Sequence, residues 1–134
     1  MVGIVIVSHG PLAEGLKGAA EMIVGPQERF RAIGMDPAAD LDRLRGEIEA
    51  VVAEVAGADG ALVLVDMMGG SPSNASAYLA VSGTPVICGV NLPMLLEMLT
   101  TRESTTASEL AELALQAGKE SILNLGERLG SAGG

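Results

Sequence analysis

Aromatic residues are nearly missing from this chain, which holds one Phe, one Tyr and no Trp among 134 residues. A surface that stacks nucleobases or sugar rings is therefore not expected, and the core has to be built from Val, Ile, Leu, Met and Ala. Cations are scarce too. Eight Lys and Arg stand against 17 Asp and Glu, for a formal charge of −9, and the eight form no run, which argues against nucleic acid and anionic membrane surfaces as partners. The single cysteine excludes an internal disulfide; Cys88, at the end of the apolar Pro85-Val-Ile-Cys88, is expected to be a buried structural thiol in a reduced compartment. Residues 1–7 are apolar but too few for a signal peptide and run into Ser8-His9-Gly10 without a basic start or a cleavage pattern. No later stretch has the length of a membrane helix. These absences predict a cytoplasmic chain without direct membrane insertion, large enough for one domain and its core.

What is present alternates. Val2-Gly-Ile-Val-Ile-Val7 reads as a strand buried on both faces. Leu12, Leu16, Ala19, Ala20 and Ile23 then recur at helical spacing up to Gly25-Pro26. Residues 30–35 make a shorter strand. Asp40 is expected to cap a second helix with the apolar stripe Leu41, Leu44, Ile48, Val51 and Val55. Residues 61–65 form a third buried strand, a helix follows to about Ser82, residues 85–90 form a fourth strand, and Asn91-Leu-Pro-Met94 opens a helix through Leu99. Thr106 and Glu109 are spaced as a capping box for a last helix that Gly118 is expected to end. Residues 121–125 suggest a short final strand and 126–134 a flexible tail, leaving 1–125 as the domain. Strand and helix in turn predict an open, doubly wound, mainly parallel α/β sheet of flavodoxin-like order 2-1-3-4. In that order the carboxyl ends of strands 1 and 3 flank the switch point where ligands bind.

The only histidine, His9, follows strand 1, and Asp66 follows strand 3. A neutral imidazole can accept phosphate on one nitrogen while the other keeps its proton. An Asp accepting that proton-bearing nitrogen would fix the tautomer and oppose the charge formed on attack. Gly69-Gly70-Ser71-Pro72 is expected to lead into a helix whose free N–H groups, with the Ser71 hydroxyl, form an anion pocket. Gly10 lets a ligand approach the backbone. Read singly, each has a plainer reading: a turn histidine, a solvated strand-end Asp, an ordinary Gly-Gly turn. One His, one Cys and no paired carboxylates nearby make a poor metal set, and no cofactor is expected. Met67, Met68 and Met94 are placed at the crevice as flexible partner-docking side chains, with core packing an equal reading for Met94.

Taken in order, Gly3-Ile-Val-Ile-Val-Ser-His-Gly10, Ala20-Glu-Met-Ile-Val-Gly25, Leu64-Val-Asp-Met-Met-Gly-Gly-Ser-Pro72, Gly89-Val-Asn-Leu-Pro-Met-Leu and Ala117-Gly-Lys-Glu120 resemble the IIA domain of the mannose/fructose/sorbose family of the bacterial sugar phosphotransferase system. The resemblance covers about residues 1–125. It implies that His9 is phosphorylated by the phosphocarrier HPr and passes phosphate to a IIB component. It also implies that Asp66 pairs with that histidine, that Ser71 lies in the phosphate-contacting turn, and that residues 121–125 are exchanged between subunits of a homodimer. IIB would be a separate polypeptide. Three alternatives stand beside this reading: a phosphoryl-transfer subunit serving dihydroxyacetone kinase, a histidine phosphatase or mutase, and a regulatory or ligand-binding module that transfers nothing. The phosphatase wants an Arg before the His and a second His, which this sequence lacks.

Overall fold

The computed structural model describes residues 1–133. The β-branched runs become strands and the amphipathic runs helices, in the order β1 (Gly3–His9), α1 (Leu12–Val24), β2 (Phe30–Met35), α2 (Leu41–Val55), β3 (Ala61–Val65), α3 (Ser71–Val81), β4 (Val86–Cys88), α4 (Leu92–Thr101), α5 (Ala107–Glu120) and α6 (Leu125–Gly133). A single 3-10 turn, Arg102–Ser104, joins α4 to α5. The four strands pair in parallel in the expected order β2-β1-β3-β4. Side chains alternate across the sheet. Val2, Ile4, Ile6, Leu62 and Leu64 meet Ala13 and Ala20 of α1, Met98 of α4 and Leu110 of α5. Val5, Val7, Val63 and Val65 meet Leu44 and Ile48 of α2 and Leu79 of α3 on the other face. Each such fully buried aliphatic side chain contributes about 1.5–3 kcal/mol, so the sheet is fixed from both sides.

Several expectations change in detail. The helix α1 approaches the sheet through Ala13 and Ala20, which turns Leu12 and Ile23 of the predicted stripe outward. In α2 the buried set is Leu44, Ile48, Val52 and Val55; Leu41 is exposed and Val51 only half-buried. Asp40 takes the cap position without a side-chain bond, whereas Thr106 accepts the Glu109 N–H at 3.2 Å and Glu109 reaches Thr105 instead of closing the box. Gly118 does not stop α5. It is buried inside the helix, where a side chain would collide with Met94 Cε, and the helix runs on to Glu120. Strand β4 keeps three residues, and Cys88, at its end on the sheet edge, is exposed rather than buried. Residues 121–124 join no strand of this chain, and the expected tail is helical in α6. An added strand needs a free neighbour to pair with, and this chain turns into α6 before presenting one to its own sheet.

At the amino ends of the strands, Arg102 is almost fully buried. Its guanidinium donates to the carbonyls of Glu28 at 2.6 Å, Arg29 at 3.0 Å and Val2 at 3.4 Å, and to Gln27 Oε1 at 3.2 Å. Arg29 is held at φ +49°, a left-handed conformation disfavoured for a side chain of this size. One buried cation thus fastens the α1–β2 connection to β1 and to the end of α4.

Candidate functional site

The site forms at the carboxyl ends of β1 and β3 because the ladder places them side by side. Val7 pairs with Val65, and the Asp66 N–H extends the ladder to the Val7 carbonyl at 3.2 Å. On the other side Gly10 donates to Met35 of β2 at 2.9 Å. His9 and Asp66, 57 positions apart in the chain, therefore meet: His9 Nδ1 lies 2.7 Å from Asp66 Oδ2. The same oxygen accepts the His9 backbone N–H at 3.0 Å, and Oδ1 accepts the Met67 N–H at 3.0 Å. A carboxylate can only accept, so Nδ1 carries the proton, and in the neutral ring the lone pair falls to Nε2.

Exposure divides the pair. The Asp66 side chain is 9% exposed and that of His9 44%, so the carboxylate is sheltered while the ring is open to an incoming molecule. Burial pushes the Asp66 carboxyl up, but the His9 N–H, the His9 ring and the Met67 N–H together outweigh it and hold it below its ordinary 3.8.

The turn after Asp66 completes the crevice. Gly69 sits at φ +92° and Gly10 at φ +52°, a region that glycine enters without strain. Gly70 faces the ring: a Cβ there would stand 2.6 Å from His9 Cε1 and 2.9 Å from Nε2. The absent side chain is what lets Nε2 lie at the amino end of α3. Ser71 and Ser73 occupy its first turn with no intrahelical acceptor for their N–H groups, and Pro72 between them has none to satisfy; the first helical bond runs from Asn74 to Gly70. Their orphan N–H groups and the helix dipole give the open side of His9 a positive potential.

The predicted residues are thus largely assembled. His9 meets Asp66 and faces Gly70, with Gly10, Gly69 and Ser71 next to them along the chain, and Met67 and Met68 are exposed. Met94 departs from the docking expectation: 3% exposed, it lies in the core against Gly118. Asn91 turns it inward, capping α4 by accepting the Met94 N–H at 3.0 Å and tying α4 to α5 through Gly118 at 3.2 Å. Ser8 is the residue that sequence patterning passed over. Its side chain is buried beneath the turn, and its Oγ accepts the Ala13 N–H at 2.7 Å. A serine three residues ahead of a helix's cap position matches no capping spacing, so only the folded turn exposes its role. Among the described residues, no group of three or more His, Cys, Asp or Glu is placed to hold a metal ion. No described helix is long and apolar enough to cross a membrane.

Fold and crevice together define an open, parallel α/β protein with a carboxylate-paired histidine at its switch point. The chain belongs to the EIIA-man family: the family model described as the PTS system fructose IIA component matches residues 3–115. The chain is 39% identical over 124 residues to the mannose-specific EIIAB component of Escherichia coli K12, a match covering 90% of this chain and 38% of that longer protein. To the sorbose-specific EIIA component of Lacticaseibacillus casei it is 30% identical over 128 residues, covering 94% and 92% of the two. The crystal structure of the phosphotransferase component EIIA from Streptococcus agalactiae superposes with a TM-score of 0.87 at 28% identity, covering 95% of this chain and 99% of that one.

Proposed function

We propose that this chain carries a phosphoryl group on Nε2 of His9, accepted from HPr and passed to a IIB component. The observation that carries the reading is the 2.7 Å approach of Nδ1 to Asp66, which holds the ring proton and leaves Nε2 free. In the transfer, the Nε2 lone pair attacks phosphorus in line with the donor's phosphorus–nitrogen bond. That bond breaks as the new one forms, and its electron pair returns to the donor imidazole. Nδ1 keeps its proton, and Asp66 opposes the positive charge spreading over the ring. The Ser71 hydroxyl, the free N–H groups of Ser71 and Ser73, and the backbone of Gly10, Gly69 and Gly70 receive the phosphoryl oxygens. Met67 and Met68 offer adaptable apolar contacts to donor and acceptor alike. The relatives are named for mannose and for sorbose, in keeping with a carrier that moves phosphate without holding the sugar.

In the same reading the working form is a homodimer in which residues 121–125 extend the partner's sheet at β4, with 1–125 as the domain. Two observations favour it. Strand β4 is a three-residue edge with one unpaired side. Ile122, Leu123 and Leu125 are exposed in the single chain, and Ile122 lines a cavity of about 150 Å³ with Cys88 and Gly89 next to that edge. A strand from a second copy would cover both the edge and the apolar residues.

Phosphate incorporation from phosphoenolpyruvate through enzyme I and HPr tests the carrier reading. Wild type should take up acid-labile, alkali-stable label, His9→Ala none, and Asp66→Asn label at a reduced rate. Unlabelled wild type with active donors would leave a binding or regulatory module; an unimpaired Asn variant would remove Asp66 from the mechanism.

A further inference from the structure

We propose that Ser8 is a positioning residue for the phosphoryl acceptor, acting on His9 through the peptide that joins it to Gly10; the proposal rests on His9 being that acceptor. Ser8 has 0% exposure in a strand whose other buried side chains are aliphatic, so its hydroxyl is a polar group kept where an apolar one would fit. The hydroxyl is satisfied in both directions. Its Oγ accepts the Ala13 N–H at 2.7 Å and donates to the His9 carbonyl at 3.1 Å, with the Gly10 carbonyl more distant at 3.5 Å.

These two bonds connect separate parts of the site. The Ala13 N–H belongs to the first turn of α1, where the cap residue Pro11 supplies no side-chain acceptor. The His9 carbonyl belongs to the peptide leading into Gly10, whose N–H donates to Met35 of β2 at 2.9 Å, so Ser8 holds from the carbonyl side a peptide that β2 holds from the other, ahead of the φ of +52° at which the chain turns. Asp66 Oδ2 holds the His9 N–H at 3.0 Å, and Ser8 holds the carbonyl. His9 is therefore clamped at both of its backbone groups, and its Cα–Cβ bond is aimed so that Nδ1 meets Asp66 and Nε2 meets the amino end of α3. A hydroxyl accepts from one of these groups while donating to the other from a single small atom. Alanine does neither, cysteine does both weakly, and threonine does both as serine does.

A residue that merely capped α1 would lower stability and leave the ring alone. A positioning residue changes the ring. The test compares wild type with Ser8→Ala, Ser8→Cys and Ser8→Thr, reading the ¹⁵N spectrum of the His9 ring without phosphate and the rate of labelling by phospho-HPr, corrected for folded fraction. The expected result is that Ser8→Ala loses part of the Nδ1–H tautomer population and labels about tenfold more slowly at saturating donor, with little change in donor KM. Ser8→Cys should fall between and Ser8→Thr should return both readouts toward wild type. If Ser8→Ala does not fold, Ser8→Cys, which keeps the site filled, takes its place. An unchanged ring spectrum, or a rate loss no larger than the loss of folded protein, would overturn the proposal. Failure of wild type to label would instead remove the carrier reading, while the ring spectra still decide whether Ser8 orients His9.

Discussion

At the carboxyl end of the sheet, a carboxylate is sheltered and the imidazole it holds is left 44% exposed. At the amino end, a guanidinium is closed off from water and gives its hydrogen bonds to three carbonyls and an amide oxygen. Both ends place a polar group beside the ladder, and exposure separates their uses. A buried cation bonded to carbonyls from distant segments strengthens the fold, because losing it strands several acceptors at once. A ring that must take a group from another protein has to stay open, so its geometry depends on one carboxylate, one hydroxyl and the empty space at Gly70.

Substitutions at the two ends should separate rate from stability. The largest effect is expected for Gly70→Ala. Its backbone is already in an ordinary extended conformation, so the added methyl should cost little stability. It would push the ring from Asp66 and slow labelling about 100-fold, which a normal melting curve beside a slow labelling time course would establish. Labelling at the wild-type rate would break the view that open space at Gly70 sets the ring. Next comes Arg102→Met, which strands the carbonyls of Val2, Glu28 and Arg29. It should lower unfolding free energy by about 2–4 kcal/mol in urea titration, with normal labelling by the molecules that remain folded. A slowed rate per folded molecule would mean that the two ends are coupled.

The smallest effect is one of pH. The Asp66 carboxyl is held below its ordinary 3.8 in the folded chain. Such a group adds stability that is fully present above about pH 4 and is lost as pH falls through its folded value. The stability difference between wild type and Asp66→Asn should therefore narrow on acidification below about pH 4, as followed by urea titrations at stepped pH. A gap that stays constant down to pH 2.5 would show that the His9 contacts do not favour the ionised carboxyl.

Much of this was legible in the sequence, for reasons that differ by residue. The strand runs 2–7 and 61–65 are β-branched and uninterrupted, and parallel crossover rules leave few orders for four such strands. That brought His9 and Asp66 to one crevice without coordinates. Ala20 was placed correctly, but Ala13 and Val52 were left off their stripes because helical periodicity gives a stripe to within a residue, while the depth of packing chooses which side of it faces the sheet. Met94, Cys88 and Gly118 were misread together. Each depends on how closely α4, α5 and the short edge strand approach, a distance with no local signature.

The sequence by itself determined the fold class and narrowed the strand orders to a few, one of which joins a lone histidine to an aspartate, since alternating hydrophobic periods and the handedness of crossovers are local rules with global consequences. The tertiary structure alone decided that Nε2 is the open nitrogen, that Gly70 clears space for it, and that Ser8 and Arg102 tie segments across the two ends. Those facts rest on distances of about 3 Å between groups far apart in the chain, and such distances are fixed only when the whole core has packed.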